Sequence, residues 1–133
     1  MPLELPDAET TAPVTAAQVQ AFAVASGDTN PLHLSDESAR AAGLRGAVLH
    51  GMFIAGRFEA FLERIPGHRI GEFRVHFTRP VAVGSCLTIS ARPIAPAGGL
   101  PHLRLMAHDG TGVLVAVADA RLVKLDGGVG AES

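Results

Sequence analysis

The periodicity of this chain changes once, and that change sets the fold class. Up to residue 65 the apolar residues recur at helical spacing; from Arg69 onward they alternate. Phe73, Val75 and Phe77 alternate with Arg74, His76 and Thr78. Leu87, Ile89 and Ala91 alternate with Thr88, Ser90 and Arg92, and Leu103, Leu105 and Ala107 with His102, Arg104 and His108. Pro80 and Gly84 break the first run, and residues 96–99 read as a turn. Asp109-Gly110 is a hairpin signal before a last strand over residues 113–125. The start of that strand is apolar on both faces, as in the middle of a sheet. Helices first, then four successive antiparallel strands, give an α+β fold with one buried helix against one curved sheet.

The helical half is punctuated by caps. Thr15-Ala16-Ala17-Gln18 fits a capping box, after which Val19, Phe22 and Ala23 share a face; Ser26-Gly27 ends this helix. Ser35 is the next N-cap, with Asp36 and Glu37 in the first turn and Gly43 as the stop. The longest helix is expected over residues 49–65, before Pro66-Gly67, about 25 Å at 1.5 Å per residue. Met52, Phe53, Ile54, Ala55 and Phe58 leave its first half almost without a polar face, which predicts burial all round. Gly56 costs about 1 kcal/mol in a helix interior, so a close neighbour is expected there.

Between the first two helices lies Ser26-Gly27-Asp28-Thr29-Asn30-Pro31-Leu32-His33. Gly27 admits backbone angles that other residues avoid, and Pro31 pushes Asn30 out of the helical region. The stretch is therefore a shaped loop, able to point Asp28 and His33 at one small volume. A carboxylate and an imidazole sharing a volume can hold a water, take its proton and deliver a proton elsewhere. Asp28 as a plain turn residue and Asn30 as a plain turn opener are the alternatives.

Bulk properties exclude several classes. Net charge is −2, without a basic block, Trp or Tyr, which argues against nucleic acid. Cys86 is the only cysteine, so no internal disulfide and no thiolate metal cluster forms. The longest apolar run, residues 113–118, is too short to span a bilayer, and the acidic N-terminus lacks an export pattern. A cytoplasmic location is expected. Hydrophobic residues make up 47 % of 133, which suggests a buried subunit interface. No repeat or linker divides the chain, so residues 1–133 are expected to form one domain, loose at about 1–8 and 127–133.

The stretch Phe22-Ala23-Val24-Ala25 followed by the Ser26–His33 octet resembles the hydratase motif of the MaoC-like dehydratases, or (R)-specific enoyl-CoA hydratases. Ala39, Gly43-Leu44, Leu49-His50-Gly51-Met52 and residues 77–84 extend the resemblance over roughly residues 15–125. It implies the hot-dog fold, a long helix wrapped by an antiparallel sheet, assembled as a homodimer with a continuous sheet. It implies reversible syn hydration of a trans-2-enoyl thioester, carried on coenzyme A or acyl carrier protein, to a (3R)-3-hydroxyacyl thioester without a cofactor. By motif position Asp28 and His33 are the catalytic pair, Asn30 helps order the loop and water, and Gly51 offers an N–H to the thioester oxygen. His50 stands beside it at the helix start, where capping or packing is the simpler role. The sequence departs from the family where a serine often supports the histidine; Gly56 and Glu59 occupy that region. It also has Ser85 where an aspartate is common.

Two other readings follow from the same residues. The stretch from His50 to Glu59 also resembles some hot-dog thioesterases, in which an acidic residue some nine positions after a His-Gly pair is the base. That resemblance makes Glu59 a candidate, and an ion pair with Arg57, Arg64 or a strand arginine is the plainer role. The chain is alternatively a non-catalytic subunit of a heteromeric dehydratase. His68, His76, His102 and His108 lack metal-ligand spacing, and no metal is predicted.

Overall fold

The computed structural model describes residues 3–97 and 100–125. In chain order it has β1 (Glu9–Thr10), α1 (Ala16–Ser26), a 3-10 turn (Pro31–His33), α2 (Asp36–Ala41), α3 (Gly51–Leu62), β2 (His68–Phe77), β3 (Leu87–Ala97), β4 (Leu100–Asp109) and β5 (Leu114–Lys124). The strands form one antiparallel sheet in the order β1-β3-β4-β5-β2. The α+β class and the central position of β5 are therefore as expected. Adjacent Val115 and Ala116 are both buried, so β5 starts apolar on both faces. The expected turn ends in Gly98-Gly99 and the expected tail in residues 127–133, both outside the described residues. Pro96 and Ala97 belong to β3.

One face of the sheet holds the helix. Phe58, Phe61 and Leu62 of α3, with Ile65 beyond it, pack into a core with Leu87 and Ile89 of β3, Leu103 and Leu105 of β4, and Ala118, Ala120 and Leu122 of β5. This is the helix-in-sheet layout of the hot-dog fold. Caps act as read: Thr15 and Gln18 form a capping box, Ser35 Oγ accepts from Ser38 N–H, and Gly27 ends α1 at φ +80°.

The longest helix departs from its expectation in two ways. It spans 12 residues, Gly51–Leu62, about 18 Å. Residues 47–49 are instead extended against the loop between β2 and β3. Leu49 N–H donates to the Val81 carbonyl at 2.8 Å and Val83 N–H to the Ala47 carbonyl at 3.0 Å. At the other end the chain tightens into turns before Pro66, whose ring disfavours helix in the residue ahead. The first half is also not buried all round. Met52 is 68 % exposed, Gly56 and Glu59 follow it on the same exposed stripe, and nothing lies within 4 Å of a Cβ built on Gly56. Arg57 and Arg64 reach past Glu59 to Glu9 at 3.4 Å each, tying α3 to β1.

The β4–β5 hairpin is wider than the Asp-Gly signal implies. Gly112, not Gly110, takes the left-handed conformation, at φ +86°. Asp109 Oδ1 accepts from Thr111 Oγ1 at 2.7 Å, Thr111 N–H at 2.9 Å and Val113 N–H at 3.0 Å. The Thr111 hydroxyl, then burial acting the other way, then the backbone donors, together hold the Asp109 carboxyl below its ordinary range. A lowered folded-state value means stability that is present above the usual carboxylate range and lost as pH falls through it. We expect Asp109→Asn to cost about 0.5 kcal/mol at neutral pH, small because the turn faces solvent. Urea denaturation at pH 7 and at pH 3 checks this: the gap between wild type and variant should close on acidification, and a gap unchanged at pH 3 would contradict the turn's role.

Candidate active site

Two chain segments make the site, the first shaped by its own Asp and Asn side chains and the second by backbone bonds to the β2–β3 connection. The first is the loop after α1. Asp28 Oδ1 accepts from Asn30 N–H at 3.3 Å, and Asn30 Oδ1 accepts from Leu32 N–H at 3.1 Å. These are successive side-chain turns of the kind Asp and Asn favour. They steer the chain into the 3-10 turn that carries His33. The second is the extended segment 47–49, clamped to the Val81–Val83 loop as described, which ends in His50 and Gly51.

The segments meet at His33. Its Nδ1 lies 2.7 Å from the Val48 carbonyl oxygen. A carbonyl only accepts, so Nδ1 carries the proton and neutral His33 keeps its lone pair on Nε2. Nε2 faces Asp28 Oδ2 at 3.8 Å, with the His33 side chain 11 % exposed and that of Asp28 53 %. That distance is too long for a direct hydrogen bond. It suits a water that donates one O–H to the imidazole and one to the carboxylate, turning its oxygen lone pairs outward. A cleft of about 230 Å³ reaches His33 between α1, α2 and the loop at Val83, lined also by Gln20, Leu34 and Ala47.

The helix start adds donors and walls. His50 stands at the N-cap position of α3 and, of its two expected roles, takes packing: its side chain makes no capping bond. Instead its Nε2 donates to the Asp28 carbonyl at 2.9 Å, and its ring stacks on His33 with centroids 3.8 Å apart and planes at 22°. The Phe53 N–H bonds the His50 carbonyl, whereas the Gly51 N–H sits in the first turn, where no intrahelical acceptor exists. The α3 dipole adds partial positive charge there. A Cβ on Gly51 would meet the Phe77 ring at 3.0–3.3 Å, so only glycine fits under that ring without displacing it.

The structure thus brings together Asp28, His33, His50 and the start of α3 at Gly51. Asn30 shapes the loop through its accepting oxygen. Glu59 lies apart, roughly 13 Å along the helix axis from His50 at 1.5 Å per residue, on the exposed stripe. Ser85 serves the fold: its Oγ accepts from Gly110 N–H at 3.2 Å. Sequence reasoning missed the Val48 carbonyl and gave no site role to Phe22 or Phe77, although both stand in stretches that carry the resemblance. Phe22 packs on His50 at 4.9 Å and on Phe53 at 5.6 Å. Phe77 was read as an apolar position of a strand and as the start of the stretch 77–84 that extends the resemblance; it is 48 % exposed, and its ring lies over Gly51 at the helix start.

Ligand-type atoms of Asp28, His33 and His50 lie within 4.8 Å of one another, the only such group among the described residues. They make a poor metal set. His33 Nδ1 and His50 Nε2 carry protons aimed at carbonyls, and nearly parallel stacked rings send their remaining lone pairs along separate planes, not to one point.

The chain is similar to known proteins in sequence and in fold. Residues 2–93 match the family model described as "MaoC like domain". The chain is 34 % identical to the (R)-specific enoyl-CoA hydratase of Aeromonas caviae over 115 residues, 83 % of this chain and 85 % of that one. It is 31 % identical to the fatty acid synthase beta subunit TOXC of Cochliobolus carbonum over 110 residues, 79 % of this chain but 5 % of that much longer protein. The solved (R)-hydratase of A. caviae, involved in PHA biosynthesis, superposes with a TM-score of 0.79 at 28 % identity, covering 93 % of this chain and 98 % of that one. With the helix-in-sheet fold and the Asp28–His33 loop already in place, these matches make the chain a member of the MaoC-like dehydratase family.

Proposed function

We propose that this protein catalyses reversible syn hydration of trans-2-enoyl thioesters to (3R)-3-hydroxyacyl thioesters. The observation that carries the reading is the 3.8 Å separation of His33 Nε2 and Asp28 Oδ2, two acceptors close enough for one water beside them to donate to both. In the hydration direction His33 Nε2 takes a proton from the held water as its oxygen bonds the β-carbon. A positioned base of this kind contributes about 10²–10⁴-fold. Negative charge moves to the thioester oxygen, where the Gly51 N–H and the α3 dipole receive it. A proton then passes from the same pair to the α-carbon. Oxygen and hydrogen arrive from one side because one cluster handles both, which is the origin of syn addition.

Similarity to an enoyl-CoA hydratase and to a fatty acid synthase subunit supports a thioester substrate and leaves coenzyme A and acyl carrier protein as carriers. We read the assembly as a homodimer joined at the edge of β2 that is left unpaired among the described residues. That strand is 10 residues long and is paired on its other side with β5. Met52 and Phe77, the exposed apolar residues at the start of α3 and the end of β2, are further surface for a second copy. Unpaired strand edges of this length are usually covered.

Asp28→Asn and His33→Ala test the assignment. Each should lower the hydration rate of a trans-2-enoyl-CoA by at least about 10²-fold, with the circular dichroism of a folded protein. Asp28→Asn should melt close to wild type because its side chain is 53 % exposed, and His33→Ala somewhat lower because it loses the bond to Val48 and the stack on His50. Hydration surviving in both would refute the pair. Gly51→Ala tests the oxyanion donor. The added methyl displaces the Phe77 ring or the helix start by a fraction of an ångström and should lower kcat about tenfold. The double variant Gly51→Ala/Phe77→Ala should regain activity if the ring clash moved the N–H. A Gly51→Ala variant that melts lower but keeps its kcat would assign the glycine to packing alone.

A further inference from the structure

His50 is the one polar side chain in the buried core among the described residues, 2 % exposed. Burying an imidazole costs free energy unless its nitrogens are paired. Only one is: Nε2 donates to the Asp28 carbonyl, and Nδ1 is buried without a hydrogen-bond partner. Leucine or phenylalanine would fill this volume with no orphaned nitrogen. The bond made by Nε2 is therefore the feature to explain. It spans 22 residues and joins the exposed Asp28 loop to the buried start of α3. The other hydrogen bonds of Asp28, to Ser26 Oγ and from Asn30 N–H, stay inside the loop.

The ring does a second job. His33 is held at one edge by the Val48 carbonyl and on one face by His50 at 3.8 Å. The charged or titratable neighbours of His50 are His33 and the Asp28 carboxylate; Phe22 of α1 packs on it without charge. A proton gained by His33 then rests against the π face of a neutral ring, which attracts a cation. A second proton on His50 would place two cations face to face and an N–H where no acceptor lies.

We propose that His50 is a positioning residue for the hydration chemistry, fixed as its Nε2–H tautomer. Its N–H holds the Asp28 main chain, and its ring holds the plane of His33, so the two reacting groups keep their separation. The proposal rests on the assignment of Asp28 and His33 made above.

The test compares wild type with His50→Phe, which keeps a ring without the donor, and His50→Gln, which keeps a donor without the ring. Steady-state hydration of a trans-2-enoyl-CoA should show kcat lowered on the order of 10²-fold in His50→Phe with KM little changed, the pattern of lost alignment. His50→Gln should recover part of that loss. Nitrogen spectra of ring-labelled histidines need no substrate. Wild type should show one protonated and one unprotonated nitrogen on His50, and the His33 signals should move in both variants. Wild-type kcat in His50→Phe, or a proton on His50 Nδ1, would overturn the proposal. Should His50→Phe fail to fold, His50→Gln and the spectra decide. Should wild type hydrate no enoyl thioester, the assigned reaction falls, and unmoved His33 signals in the variants would then sink the positioning role by themselves.

Discussion

The hydrogen bond from His33 Nδ1–H to the Val48 carbonyl, at 2.7 Å, is the constraint on which the site depends. It does two things at once. It joins the loop after α1 to the segment before α3, and it leaves the basic lone pair of neutral His33 on Nε2. Without it, the imidazole could present an N–H to Asp28 and would have no base to offer. Val48 in turn is held by the sheet side of the molecule: it bridges Ala82, and its neighbours Ala47 and Leu49 bond Val83 and Val81. The connection from β2 to β3 thus acts as the back wall of the chemistry, although none of its side chains is asked to react.

The parts of this molecule that were legible in the sequence are those decided by neighbours in the chain. The Thr15 capping box, the Ser35 cap and the Gly27 stop are bonds over two to four residues, so residue type suffices. The strands were legible because one face is buried along most of their length, and the alternation runs far enough on either side of the bulges at Ile70/Glu72 and Ala107/His108 to be read. The octet around Asp28 was legible as a shaped loop because its turns are made by Asp28 and Asn30 themselves. What failed depended on distant partners. Leu49 and His50 have a helical apolar pattern, yet Leu49 is drawn into an extended pairing with Val81. Met52 is as apolar as Ile54, but a run of hydrophobic residues does not say which of them its own chain covers. The His33–His50 stack joins residues 17 positions apart, and no local pattern announces it. Asp109-Gly110 marked the right hairpin, while Thr111 and Val113 widened it by satisfying the carboxylate.

The departures from the family pattern acquire a place in this picture. Ser85 links the β2–β3 connection to the β4–β5 hairpin through Gly110 N–H, a fold role that a hydroxyl performs adequately. Gly56 and Glu59 lie on the stripe of α3 facing away from the core, so neither touches the Asp28–His33 pair within this chain. Support for the histidine comes instead from Val48 at its edge and His50 at its face.

The central claim is that one water, held between residues 28 and 33, adds to one face of an enoyl thioester. The direct measurement is to incubate the purified protein with a short trans-2-enoyl-CoA in deuterium oxide. Loss of the conjugated double bond, thiol release and product stereochemistry are followed together. Conjugation should be lost without thiol release, giving a (3R)-3-hydroxyacyl-CoA with deuterium added syn at the α-carbon. Free thiol as the main product, or a (3S) alcohol, would contradict the claim.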